Sequence, residues 1–305
     1  MFKKFVINTV VVIILLCFAE LLCFNTAKKE NDVFKSKTDK LAANNSKSYK
    51  TKYTILSDFK PILWRKSFII ENSDKKPIIW FGCSFAEGAG LSDTQAPCGK
   101  ISKMTGRSCI NRAKGATGTQ FMYYQLTKED FFKQAPQADY VIYTFIWHHL
   151  RRLYNYQINP LVDMFNVRYK LLNGNLIEVK PFFKPFYSSF IIKRFLNKIE
   201  LKKSEEEEKD FKLFNALIKE SVRITSEKYP ASKFIMIEFP DLSNRELPDY
   251  EIKNLEKMGI TVIRVNDIVK NTDFTDKKYW LEDNIHPSEE AWNIILPEIT
   301  AKYIK

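Results

Sequence analysis

From Pro77 onward, short apolar runs alternate with longer stretches of helical period. The runs are Ile78-Ile79-Trp80-Phe81, Ser108-Cys109-Ile110, Tyr140 to Ile146, Phe234 to Phe239 and Ile260 to Val265. They are rich in β-branched and aromatic residues and are apolar almost throughout instead of alternating with polar ones, the pattern of strands buried on both faces. Helices are predicted between them at 97–105, 119–134, 205–229 and 249–258, with a last one after 288. Ser204 and Glu207 make a capping box ahead of the third helix, and Pro230 stops it. Strand and helix in alternation predict an α/β domain, a parallel sheet covered on both faces, with ligands beyond the carboxyl ends of the strands.

Two regions depart from this rhythm. Residues 150–203 scatter Tyr154, Tyr156, Phe165, Tyr169, Phe182, Phe183, Phe186, Tyr187 and Phe190 among basic residues and prolines. They read as an insertion, either a subdomain packing its aromatics on the core or a lid over the site. At the other end, Lys3 and Lys4 precede an apolar stretch from Phe5 to Phe24 broken only by Asn8, Thr9 and Glu20. About twenty such residues span a bilayer core. The expectation is therefore a signal-anchor over 1–24, with a signal peptide removed near Ala19 as the alternative, and an extracytoplasmic chain beyond it. Residues 25–76 form a tether, polar as far as about residue 55, and an N-terminal extension, and 77–305 the main domain.

Charge narrows the partners little. Lys plus Arg exceeds Asp plus Glu by 48 − 36 = 12, but the excess is spread along the chain with no Arg-rich helix or finger spacing, so no nucleic-acid partner is expected. Of the cysteines beyond residue 24, Cys98 and Cys109 lie eleven residues apart across a short helix. A bridge between them is geometrically feasible, with free buried thiols as the alternative.

Chemistry is concentrated in two places. Gly82-Cys83-Ser84-Phe85-Ala86-Glu87-Gly88 follows the first strand, where a tight strand-to-helix turn can expose a serine hydroxyl beside backbone N–H groups. It is not a G-x-S-x-G elbow, and no Walker A or dinucleotide glycine pattern occurs. Near the C-terminus, Asp283-Asn284-Ile285-His286-Pro287 precedes the last helix. A histidine held by a carboxylate three residues away supplies a base and its orienter together. The chain has only three histidines; the others, His148 and His149, follow the third strand. They do not suggest a metal site with His286, because neighbours in a strand point to opposite faces and no Cys or carboxylate completes a set.

Gly82-Cys83-Ser84-Phe85, the segment Asn111 to Gly118 and Asp283-x-x-His286-Pro287 together resemble the first, second and fifth blocks of the SGNH (GDSL-type) hydrolases, over about residues 77–305. The resemblance implies a flavodoxin-like three-layer α/β/α fold with a five-stranded parallel sheet. It implies a cofactor-free serine esterase with Ser84 as nucleophile, His286 as general base and Asp283 as its orienting carboxylate. Its oxyanion hole would use the Ser84 N–H and a second-block glycine, Gly115 with Gly118 as rival. The third block departs from the family, reading Trp147-His148-His149 where an asparagine is expected. An imidazole N–H can replace the amide. His149 is the expected donor, with His148 as rival and Trp147 lining the acyl pocket. Cys83 stands where the family usually has Asp. The implied substrates are acyl esters, acetyl foremost, on polysaccharide or envelope glycans. An O-acyltransferase with the same triad, or a non-catalytic binding module, is the alternative.

Overall fold

The computed structural model describes residues 65–154 (except 66 and 72), 167–179, 211–240, 245–270 and 272–304. Strands β1 (Ile78–Phe81), β2 (Cys109–Asn111) and β3 (Tyr140–Phe145) coincide with the first three apolar runs to within a residue. Helices α1 (Ser84–Glu87), α2 (Pro97–Thr105), α3 (Thr119–Leu126), α4 (Glu129–Gln134) and α5 (His148–Tyr154) lie among and after them. A hairpin of β4 (Tyr169–Leu172) and β5 (Asn175–Glu178) follows, then α6 (Lys212–Lys228), β6 (Lys233–Glu238), α7 (Asp249–Lys257), β7 (Ile260–Arg264), α8 (Val265–Ile268) and α9 (Glu289–Tyr303).

The central sheet has five strands in the order β2-β1-β3-β6-β7, every neighbouring pair parallel. This is the flavodoxin-like order, in which the connections reverse direction between β1 and β3 and open a crevice at their carboxyl ends. Period-2 geometry divides each strand between two cores. Ile79, Phe81, Val141, Tyr143, Phe145, Phe234 and Met236 face α3, α4 and α6, while Ile78, Trp80, Ile142, Ile235 and Ile237 face α2 and α9. Trp80 meets Trp292 of α9 edge to face at 6.2 Å. The three-layer α/β/α architecture expected from the alternation is thus present.

The differences have local causes. The single helix expected over 119–134 is two, because the Thr127 hydroxyl donates to Tyr124 O at 2.7 Å and closes α3 before α4 begins. Strand β3 stops at Phe145, and His148 and His149 follow it as expected but open α5, so the strand alternation used to separate their side chains gives way to a helical step. From the insertion, Tyr169 packs its ring on Tyr123 of α3 at 4.9 Å. Cys98 and Cys109 form a disulfide that ties α2 to β2, and Cys83 is a free, buried thiol. The capping box at Ser204 and Glu207 lies outside the described residues.

The expected membrane-anchored, extracytoplasmic placement is corrected. Among the described residues no helix is long and apolar enough to cross a membrane. The longest, α6, has 17 residues and carries Lys212, Lys219, Glu220, Arg223, Glu227 and Lys228, too short and too charged for a bilayer core. The apolar stretch over 1–24 lies outside the described residues.

Candidate active site

Ser84 is the first residue of α1, just beyond the carboxyl end of β1 and therefore beside the crevice between β1 and β3. The turn that puts it there depends on Gly82. Its φ is +148°, and a Cβ at this position would come within 2.7 Å of Ala86 Cβ and 3.1 Å of Thr144 O. The 114–118 loop is laced to the same turn, since Lys114 N and the Thr117 hydroxyl donate to Gly82 O at 3.1 and 3.2 Å. Buried Arg65 clamps the far end of α1, donating to the carbonyls of Glu87 (2.7 Å), Gly88 and Leu91 and pairing with Asp93 at 3.2 Å.

The Asp283–His286 loop is equally well tied. His286 Nδ1 and Asp283 Oδ2 are 2.5 Å apart, and Asp283 Oδ1 accepts the backbone N–H groups of Ile285 (2.8 Å) and His286 (3.0 Å). Burial alone would push the Asp283 carboxyl up, but the hydrogen bonds from the His286 ring and from these two N–H groups outweigh it and hold the pKa down, at about 2. Asp283 is therefore ionised near neutrality and accepts a proton on Nδ1, leaving the Nε2 lone pair as the basic site. Leu281 N donates to His286 O at 2.8 Å, and Ser288 caps α9 while donating to Lys278 O at 2.6 Å.

Contacts from α1 bring these two segments together. Phe85, next to Ser84, lies edge-on to the His286 ring at 6.0 Å and also packs on Trp280 and Phe239. Gly90 backs onto Leu281 so closely that a Cβ would stand 2.5 Å from Leu281 Cδ1. Farther out, Lys100 and Gln95 both bond Glu289 at the start of α9. Ser84 and His286 make no hydrogen bond to each other among the described residues, a looseness common before a substrate tightens such a pair.

The expected oxyanion donors divide into two groups. Gly115 is adjacent to the serine, its would-be Cβ 3.8 Å from Ser84 Cβ, but its N–H donates to Glu87 Oε2 at 2.6 Å. The other oxygen of Glu87 pairs with Lys114 at 2.9 Å. Gly118 sits against His149, whose ring carbons Cγ and Cδ2 lie 3.5 Å from its would-be Cβ. The His149 ring is fully buried, with Nδ1 2.6 Å from the Tyr143 hydroxyl, whereas His148 is half-buried. Trp147 packs on Phe211 at 6.2 Å with the Arg245 guanidinium 5.8 Å above its ring.

Four residues of this neighbourhood escape a reading of the sequence alone. Arg65 sits in the stretch taken as extension, where the apolar run Ile62-Leu63-Trp64 just ahead is the available signal. Glu87 lies one helical turn beyond Ser84, as the polar residue before Gly88. Tyr143 is a phenol in a strand otherwise buried on both sides, and its hydroxyl demands a polar partner. That partner includes Thr119, at 2.8 Å.

No family model matches the chain, and no curated protein matches it. Solved structures of similar shape include a lipase from a goat rumen metagenome, 15% identical over 74% of this chain and 97% of that one, with a TM-score of 0.43. An acetyl xylan esterase from Butyrivibrio proteoclasticus is 10% identical over 76% of this chain and 64% of that one, TM-score 0.44. A lipolytic protein of the G-D-S-L family from Veillonella parvula is 11% identical over 75% and 99%, TM-score 0.43. Likeness at this level carries no functional argument, so the site's own geometry must do so.

Proposed function

We propose that this protein is a serine acyl-ester hydrolase acting through Ser84, His286 and Asp283. The observation that carries the reading is an ionised carboxylate on a histidine, held by Phe85 against the turn that exposes Ser84. His286 Nε2 takes the Ser84 proton as Oγ bonds to the ester carbonyl carbon. The carbonyl π pair moves onto oxygen, where the Ser84 N–H, a glycine N–H of the 115–118 loop and His149 hold the charge. The C–O bond to the alcohol then breaks, His286 protonates the departing oxygen, and water repeats the sequence to free the acid. Replacing water by a sugar hydroxyl turns the same site into an acyltransferase.

The polar ground beside the serine supports short acyl groups, acetyl first, on polar acceptors such as carbohydrate hydroxyls. A long apolar chain leaving Ser84 on the Gly115 side would meet the Glu87–Lys114 ion pair and desolvate it without compensation. One observation favours a second reading, a binding module without turnover: the Gly115 N–H is already taken by Glu87. Hydrolysis through Gly118 as the glycine donor removes that objection.

The test is hydrolysis of p-nitrophenyl acetate and labelling by a fluorophosphonate, using the full-length protein beside Ser84→Ala and His286→Ala. Turnover and labelling that vanish in Ser84→Ala, with His286→Ala losing turnover, support the assignment. A folded wild type that neither labels nor turns over this ester overturns it in favour of binding alone. Adding a xylo-oligosaccharide acceptor separates transfer from hydrolysis by its acetylated product.

A further inference from the structure

Behind the 115–118 loop lies a buried polar chain. The Thr119 hydroxyl is 2.8 Å from the Tyr143 hydroxyl, which is 2.6 Å from His149 Nδ1. All three residues are fully buried. The imidazole lies nearly parallel to the Tyr143 ring at 5.6 Å, stands edge-on to Phe145 at 5.8 Å, and His149 N donates to Ile146 O at 2.9 Å, so the ring has one orientation.

Two proton arrangements fit these distances. In the first, Thr119 donates to Tyr143 and Tyr143 donates to His149 Nδ1, leaving the imidazole hydrogen on Nε2. In the second, His149 Nδ1–H donates to Tyr143 and Tyr143 donates to Thr119. Among the described residues the Tyr143 oxygen is the one partner of the Thr119 hydroxyl. The second arrangement therefore leaves a hydroxyl hydrogen of Thr119 without an acceptor in a site closed to water, which is unfavourable. The first uses every hydroxyl hydrogen. Burial also pushes the Tyr143 hydroxyl pKa well up, so the phenol keeps its proton to donate.

We infer that Tyr143 is a positioning residue that donates to His149 Nδ1 and fixes the imidazole hydrogen on Nε2, next to the Cδ2 edge that abuts Gly118. Its role in turnover rests on the reading of His149 as an oxyanion donor; the tautomer itself does not. Nε2–H is the hydrogen-bond donor the developing oxyanion requires, and the opposite tautomer would present a lone pair and repel it. Thr119, at the first turn of α3, completes the relay by occupying the Tyr143 lone pair.

The test is ¹⁵N-detected NMR of the imidazoles in the full-length protein at neutral pH. With three histidines in the chain, His→Gln substitution at each assigns the rings. The expected result for His149 is a protonated Nε2 and an unprotonated, hydrogen-bonded Nδ1; a protonated Nδ1 overturns the inference without any variant having to fold. Tyr143→Phe, checked for folding by circular dichroism, should relax this tautomer. It should also lower kcat for p-nitrophenyl acetate roughly ten- to a hundredfold with KM within about twofold, below the full loss of a hole donor. A Tyr143→Phe protein with unchanged tautomer and kcat refutes the positioning role. If Ser84→Ala retains wild-type turnover, the serine-esterase reading falls while the tautomer result stands.

Discussion

Exchanging Asp283 for asparagine keeps the loop's shape but reverses a proton. The amide oxygen of the new side chain can still accept the N–H groups of Ile285 and His286, now at 2.8 and 3.0 Å from Oδ1. Its NH₂ then faces His286 Nδ1 and forces the imidazole hydrogen onto Nε2, where the base is needed. A tautomer error of this kind costs on the order of 10⁴ in kcat. The stability effect follows from linkage. The Asp283 pKa falls from 3.8 to about 2, a difference of 3.8 − 2 ≈ 1.8. At 1.36 kcal/mol for each tenfold step this is at most about 2.4 kcal/mol, and solvent screening of the partly exposed carboxylate brings it to about 1–2 kcal/mol. Because the folded pKa is depressed, that stabilisation is complete above the unfolded value and is lost as pH falls through the range from 3.8 to about 2. The assays are p-nitrophenyl acetate turnover and urea unfolding of wild type and Asp283→Asn at pH 7 and pH 3. Turnover should collapse in the variant, and the stability gap between the two proteins should narrow at the lower pH. An asparagine variant retaining more than about a tenth of wild-type kcat would refute Asp283 as the orienting group.

Other perturbations test the scaffold around the serine. Arg65→Met removes donors from the buried carbonyls of Glu87, Gly88 and Leu91 and should cost about 2–4 kcal/mol in urea unfolding, with a matching loss of turnover. Replacing both Cys98 and Cys109 by alanine opens a loop of sequence separation 11 and should lower stability by about 3 kcal/mol on the chain-entropy estimate, while kcat stays within about twofold. Glu87→Gln preserves an acceptor for the Gly115 N–H and should retain activity within about threefold. Glu87→Ala frees the loop from α1 and should lower kcat about tenfold, read in the same ester assay.

The sheet was legible because its central strands are largely apolar, and the two cores bury every position of Ile78–Phe81 and Tyr140–Phe145. The Asp283–His286 pair was legible because its partners are three residues apart and one loop brings them together. Contacts made across the fold were not. Arg65 reaches carbonyls 22 to 26 residues away, and nothing in its own neighbourhood announces them. The side-chain directions of residues 148 and 149 were not legible for a physical reason: the apolar run to Ile146 continues the strand pattern, but after Phe145 the backbone turns into α5, which separates His148 from His149 by a helical step instead of a strand's alternation. That turn changes the chemistry. It buries His149 against Tyr143 and Gly118 while leaving His148 half-buried, so two adjacent histidines that sequence treats as rivals occupy environments of different kind. Glu87 makes the same point for Gly115, since one helical turn beyond Ser84 brings a carboxylate to the N–H expected to serve the oxyanion. Gly115 is the glycine that stands beside Ser84, and its N–H is held by Glu87, while Gly118 packs on His149. With the Gly115 N–H tied to Glu87, the proposed hole would draw instead on Gly118 and the His149 ring against it.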